Sequence, residues 1–290
     1  MTLLPVIDRE AEGVRMLRLG WFSTGRDEAA RQLLTAVWRA IERGELAARI
    51  AFVFCNRERG EHPETDRFLE LAQSYGLPLL CLSHEGYRRA RGLPPVRVGP
   101  ASGGLPAWRL DYDRAAIEFL KPYPFDLGVL AGYMLIVGPE MCRLPLINLH
   151  PALPGGPTGT WQEVIWQLLE ERAERAGVTI HVVTEELDRG PPVSYCAFPL
   201  RGPAFDLLWR ELDELGLERA RRQQGEQNLL FREVRRQGVA RELPLLVQTL
   251  KAFAQGRVAL RGGQAVDGEG CPVRGLDLTK AIDALAAGAL

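Results

Sequence analysis

MLRLGWFSTGRDEAARQLLTAVWRAIERGELAARIAFVFC, residues 16–55, places two short apolar runs on either side of an amphipathic stretch. Residues 16–23 read as a strand and 49–55 as a second, with a helix from about Asp27 to Arg43 between them. Working outward, the alternation repeats. A helix is expected over 63–75, a strand over 77–82, a helix over 111–120, and strands over 127–131 and 144–149. The run at 127–131 is almost wholly apolar, as in a sheet covered on both faces. A helix over 161–175 and strands over 177–184 and 192–200 complete the series. These βαβ units define an α/β fold: a Rossmann-like, mainly parallel sheet with helices on both faces.

From about 203 to 254 the pattern turns helical and highly charged, and the tail after Arg257 is Gly-rich, with a strand-like piece at 258–260 and an Ala/Leu helix at its end. We therefore divide the chain into an α/β domain over 1–202 and a helical and hairpin extension over 203–290, packed on the same domain. A Pro/Gly-rich loop over 83–107 is long enough to be functional or mobile.

Composition narrows the function classes. The 290 residues are 46% hydrophobic and 25% charged, with a formal net charge of -1, so nothing pulls the chain toward nucleic acid or an anionic membrane. The first residues, MTLLPVIDREAEG, do not read as a signal peptide. No apolar run approaches the roughly 20 residues that span a bilayer. Five dispersed cysteines without a CxxC pair argue against zinc and fit a reducing cytoplasm.

The chemistry concentrates in two stretches. In LPLINLHPALPGGPTGTW (144–161) an apolar strand presents Asn148 and His150 and then breaks at Pro151. Residues two apart on a strand share a face, and strand carboxyl ends are where open α/β sheets place ligands. In GVTIHVVTEELDRGPPVSY (177–195) an alternating strand runs into an acidic turn that carries Asp188. A carboxylate beside an imidazole raises its pKa, which would let His150 act as an acid near neutral pH. His181 lies on the second strand as a core, cleft-lining or catalytic group.

The motif pair NLHPALPG and GVTIHVVTEELDRGP resembles the glycinamide ribonucleotide formyltransferases, within the superfamily that includes the methionyl-tRNA and sugar formyltransferases. The similarity runs from about Met16 to Leu200 and resumes weakly at LPLLVQTLKAFAQGRV. The resemblance implies that Asn148, His150 and Asp188 are catalytic. It implies a pocket for 10-formyltetrahydrofolate, the co-substrate, formed by Met134, Leu135, Ile136 and Val137 together with Asn148, Thr184, Glu185, Glu186, Leu187 and Asp188. Arg109, in WRLDYD, falls where the family places a folate-contacting arginine. The acceptor would be a small phosphorylated amine, with glycinamide ribonucleotide of purine synthesis leading, held by Ser23, Thr24, Gly25 and Arg26. The chain would be a cytoplasmic monomer or homodimer without metal, nucleic acid or membrane partners.

Two segments depart from the family pattern. Its loop after the first strand is rich in Gly, Ser and Asn, whose amides cradle phosphate, whereas here Asp27 and Glu28 follow Arg26. The family's C-terminal Glu-His segment has no counterpart around Arg241-Glu242-Leu243-Pro244. An amino sugar, an aminoacyl-tRNA or water therefore stand as alternative acceptors, and a folate-binding regulatory protein as the non-enzyme alternative.

Overall fold

The computed structural model describes residues 16–93 and 105–286. The first 15 residues, part of the Pro/Gly-rich loop and the last four residues of the chain lie outside them. Strand β1 (Leu17–Ser23) leads through helix α1 (Glu28–Glu42) to β2 (Ala48–Cys55), and α2 (Pro63–Ser74) leads to β3 (Leu79–Cys81). Helices α3 (His84–Arg89) and α4 (Ala107–Leu120) precede β4 (Leu127–Leu130) and β5 (Leu146–His150). Next come α5 (Trp161–Glu170), β6 (Arg175–Val182) and β7 (Pro192–Pro199). The extension supplies α6 (Asp206–Leu215), α7 (Leu217–Gln223), α8 (Leu229–Ala254), β8 (Ala259–Arg261), β9 (Gln264–Val266), β10 (Leu276–Asp277) and α9 (Thr279–Ala286).

Eight strands form one sheet in the order β10-β7-β6-β5-β4-β1-β2-β3. The β3-β2-β1-β4-β5 part is parallel, whereas β5-β6 and β6-β7 are antiparallel. The chain winds outward from β1 to β3 and then returns to β1's other side as β4, so the switch point lies between β1 and β4. Loops diverge there and open a crevice at the carboxyl ends. The α/β fold expected from the sequence is the fold observed.

Local chemistry fixes the helix starts. The Asp27 side chain accepts from Ala30 N–H, and Pro63 sits at the head of α2 behind His62, which accepts from Glu64 N–H. Thr160 and Glu163 close a capping box on α5. One face of the sheet is packed by α1, α2 and α8 around Leu34, Val37, Phe68 and Leu250. The other carries Phe22, Phe52, Phe54 and Met141 with α4. The α5–α8 region has its own cluster around Trp166, Trp209 and Phe231.

Several boundaries differ from the sequence reading. The loop after β3 is not structureless, because Ser83 caps α3 by accepting from Gly86 N–H. Helix α4 begins four residues earlier than expected. The helix expected over 161–175 stops at Glu170, where Arg172 turns the chain at φ 51° and β6 can start. The extension is also more than a hairpin: β8 and β9 pair antiparallel, but β10 joins the main sheet beside β7 in parallel register. A two-residue strand lies below what periodicity can resolve.

Candidate active site

Strand β5 delivers Asn148 and His150 to the carboxyl edge, and antiparallel β6 brings His181 opposite Asn148 and Thr179 opposite His150. Pairing in register sets all four on one face. Past β6 the chain makes a tight turn in which Asp188 adopts φ 55°, a left-handed conformation that is rare for a residue with a Cβ. That strain points the carboxylate back at the strand ends. Its Oδ2 lies 3.6 Å from His150 Nδ1 and accepts from Gly159 N–H at 3.2 Å. Its Oδ1 lies 3.7 Å from His181 Nε2 and accepts from Asn148 Nδ2 at 3.4 Å. One carboxylate thus ties together both strands and the loop leading into α5.

Partners assign the ring protons. His150 Nε2 faces the Pro157 carbonyl at 2.7 Å, so it must donate, and Nδ1 is left as the nitrogen that can exchange a proton. His181 Nδ1 faces the Val182 carbonyl at 2.9 Å, while Asn148 Nδ2 lies 3.3 Å from His181 Nε2. A cavity of about 230 Å³ opens here, lined by His150, Thr179, His181, Asp188, Arg189 and residues 153–156. Arg189 reaches across its rim to the carbonyls of Gly155 and Gly156.

The expected direction of the His150 shift is overturned. Burial lowers its pKa, and burial outweighs the opposing pull of the Asp188 carboxylate and the Pro157 carbonyl. The ring is therefore mainly neutral near pH 7, a base before it is an acid. Burial pushes Asp188 up, but His181, His150 and the Gly159 N–H together outweigh it and hold the carboxyl below its usual range.

The segment after β4 forms a second wall. Met134 and Ile136 are 42% and 43% exposed, and Leu187, on the turn of Asp188, is 47% exposed. Ligand grooves commonly present large apolar groups in this way, on loops next to a polar cluster. Thr184 is half-buried, Glu185 and Glu186 are exposed, Leu135 is half-buried and Val137 is buried. Arg109, the expected folate contact, is bound to the backbone of this segment. It is 4% exposed and turned inward, its Nη2 donating to Asp113 Oδ1 at 3.0 Å and to the Ile136 carbonyl at 2.7 Å. Asp113 Oδ2 accepts from Gly138 N–H at 2.6 Å. The ion pair holds the loop from behind, a role for Asp113 missed in the sequence although Arg109 and Asp113 are one helical turn apart.

The loop after β1 also works inward. Ser23 and Thr24 are buried. Ser23 Oγ accepts from Gly25 N–H at 3.1 Å, and Thr24 Oγ1 accepts from Met134 N–H at 2.8 Å. Gly25 sits at φ 61° with Phe68 filling the space a Cβ would need. Arg26 lies 3.7 Å from Asp27. The contacts of His150 with Pro157 O and of Asp188 with Gly159 N–H are backbone contacts that no residue type announces. Among the described residues no group of three or more His, Cys, Asp or Glu could hold a metal, and no helix is long and apolar enough to cross a membrane.

A Rossmann-like sheet with a carboxylate, an amide and two imidazoles gathered at its carboxyl edge defines the class of protein. Residues 28–200, well over half of the chain, match the family described as formyl transferase, and the chain belongs to that family. It is 36% identical over 126 residues to the phosphoribosylglycinamide formyltransferase of Escherichia coli, an alignment covering 40% of this chain and 54% of that one. It is 34% identical over 113 residues to the methionyl-tRNA formyltransferase of Thermotoga maritima, covering 36% of this chain and 34% of that one. The chain thus spans about half or less of these relatives' lengths. A solved structure of the phosphoribosylglycinamide formyltransferase from Coxiella burnetii superposes with a TM-score of 0.63 over 91% of this chain and 99% of that one, at 22% identity, a likeness of fold.

Proposed function

We propose that the protein transfers a formyl group from 10-formyltetrahydrofolate to the amine of a small phosphorylated acceptor, with glycinamide ribonucleotide the leading candidate. The observation that carries this reading is the meeting of Asn148 and His150 at the Asp188 carboxylate, with His150 and Asp188 lining one cavity and Met134, Ile136 and Leu187 left in solvent on the loops after β4 and β6. An apolar wall held on a fixed backbone suits a flat pterin. The names of the relatives support formyl chemistry, and two acceptor types occur among them.

The chemistry follows from the proton inventory. The acceptor nitrogen attacks the formyl carbon, and negative charge develops on the formyl oxygen. Asn148 Nδ2, held only by contacts of 3.3 and 3.4 Å, can exchange them for a shorter bond to that oxygen. His150 Nδ1 is free to accept the proton the amine must lose. Once charged, the ring is held by Pro157 O on one side and Asp188 on the other. The same proton then serves the departing folate nitrogen, so the ring ends the cycle neutral.

The test supplies 10-formyltetrahydrofolate with a panel of acceptors (glycinamide ribonucleotide, an amino sugar nucleotide, methionyl-tRNA and water alone) and follows deformylated folate. Turnover with glycinamide ribonucleotide above the others is expected. Turnover only with another acceptor would move the assignment within the family, and none with any would remove it.

A further inference from the structure

At the carboxyl edge of β2 the chain turns through residues 56–62 before α2. The turn is braced internally: Glu58 N–H donates to Glu61 Oε2 at 2.9 Å, Gly60 N–H to Asp66 Oδ1 at 2.8 Å, and Ser83 Oγ to Glu61 Oε1 at 2.6 Å. Arg57 lies half-buried on it. Its Nη1 donates to Thr65 Oγ1 at 3.4 Å, and Thr65 Oγ1 donates to the Thr24 carbonyl at 3.1 Å. The guanidinium therefore stands one hydroxyl away from the loop after β1, at the carboxyl edge of the sheet.

The carboxylates around it have other partners. Glu61 takes Ser83 and Arg89, Glu64 takes Arg31 and Arg67, Asp66 takes Gly60 N–H, and Asp27 takes Ala30 N–H and Arg26. Arg57 makes no ion pair among the described residues, and a partly buried cation without a counter-ion is costly. A second, independent observation adjoins it. Asn56 is wholly buried, yet neither Oδ1 nor Nδ2 has a partner, although buried amides are nearly always satisfied. Cys55, the residue before it, pairs in register with Ser23, which puts Asn56 beside Thr24.

We propose that Arg57, with the orphaned Asn56 amide beside it, is the subsite that holds the phosphate monoester of the acceptor. The proposal rests on the phosphorylated-acceptor reading above and extends it. Ser23 and Thr24 carry no charge, Asp27 caps α1 and Arg26 faces Asp27, so the cation that meets the anion comes from the turn after β2. A guanidinium suits this task because its planar fork offers two parallel donors to phosphate oxygens.

Calorimetry with ribose 5-phosphate tests the subsite without turnover, on the wild type and on the R57Q and R57K variants. R57Q should weaken binding about tenfold or more, and R57K, which keeps the charge and loses the fork, by about threefold. In turnover, R57Q should raise KM for glycinamide ribonucleotide by the same factor and leave KM for 10-formyltetrahydrofolate unchanged. If R57Q does not fold, the R57K shift decides. Equal ribose 5-phosphate affinity in wild type and variants, or no binding to the wild type, overturns the subsite. Arg57-dependent binding without glycinamide ribonucleotide turnover keeps the subsite and removes that acceptor. Turnover at an unchanged KM in R57Q does the reverse.

Discussion

The loops that leave β1 and β4 start side by side at the switch point and are built in opposite ways. After β4 the backbone is tied at Gly132 O, Met134 N, Ile136 O and Gly138 N to Thr24, Arg109 and Asp113, while Met134 and Ile136 are left in solvent. After β1 the order reverses. Ser23 and Thr24 are buried, their oxygens face inward, and one of them props up the other loop. A loop presenting side chains from a fixed backbone is a wall, and a loop whose side chains point inward is a strut. On the proposed function, the donor side is thus preorganised by groups behind it, and the acceptor side finds its charge elsewhere.

The largest effect should come from breaking the chemistry that both loops serve. His150→Ala removes the ring nitrogen that takes the amine proton in the proposed reaction, and kcat should fall by about 10²–10⁴. Because the wall after β4 does not touch that ring, folate affinity measured by calorimetry should stay within about threefold. A variant retaining full kcat would dismantle the mechanism.

The acid limb of kcat/KM sharpens the same point. The folded His150 pKa lies below the ordinary 6.5, so the limb should have its midpoint below 6.5 and fall about tenfold per pH unit beneath it. An Asp188-dominated ring would place the midpoint above 6.5. Stability carries the same sign. His150 and Asp188 are both depressed in the folded state, so their contributions are full above the unfolded values and are lost as pH falls through the folded ones. The denaturant midpoint should therefore begin to drop below about pH 6.5 and drop again below the ordinary Asp range.

Loosening the wall from behind should weaken folate binding alone. Arg109→Lys keeps a buried charge for Asp113 but loses the fork that also reaches Ile136 O. Gly138→Ala acts at the other end, where a Cβ would meet Leu110 at 2.8 Å and Asp113 Oδ2 at 3.0 Å. Each should raise KM for 10-formyltetrahydrofolate about tenfold with kcat and acceptor KM nearly unchanged. A merely destabilised protein would lose active fraction instead, and equal changes in both KM values would refute the division between wall and strut.

What the sequence made legible follows from what side-chain identity can encode. Apolar periodicity located β1, β2, β4 and β5, because a covered parallel strand leaves a continuous apolar run. Asn148 and His150 stand out because they interrupt such a run, and Asp188 because it sits on the turn that follows a strand. The protonation of His150 was misjudged, since burial is a sum over surrounding atoms and the carboxylate was the only influence visible in the chain. Thr24 and Arg109 stand out as polar groups, but the sequence does not show that they bind the backbone at Met134 and Ile136. Orientation is settled by partners as distant as Met134 and Ile136. Pro157 O and Gly159 N–H belong to the backbone, where residue type says nothing.

The smallest expected effect tests whether the strut supports the wall at all. Thr24→Val keeps the shape of a buried side chain and removes the acceptor of Met134 N–H. An unsatisfied buried donor costs about 1–3 kcal/mol, but Met134 stands at an exposed edge, and water can take over part of that bond. KM for 10-formyltetrahydrofolate should therefore rise only about threefold, and Thr24→Ser, which restores the oxygen, should bring it back. Acceptor KM should stay level in both variants. A rise in acceptor KM with folate KM unmoved would make Thr24 an acceptor contact and return the loop after β1 to the role its position in the family suggests.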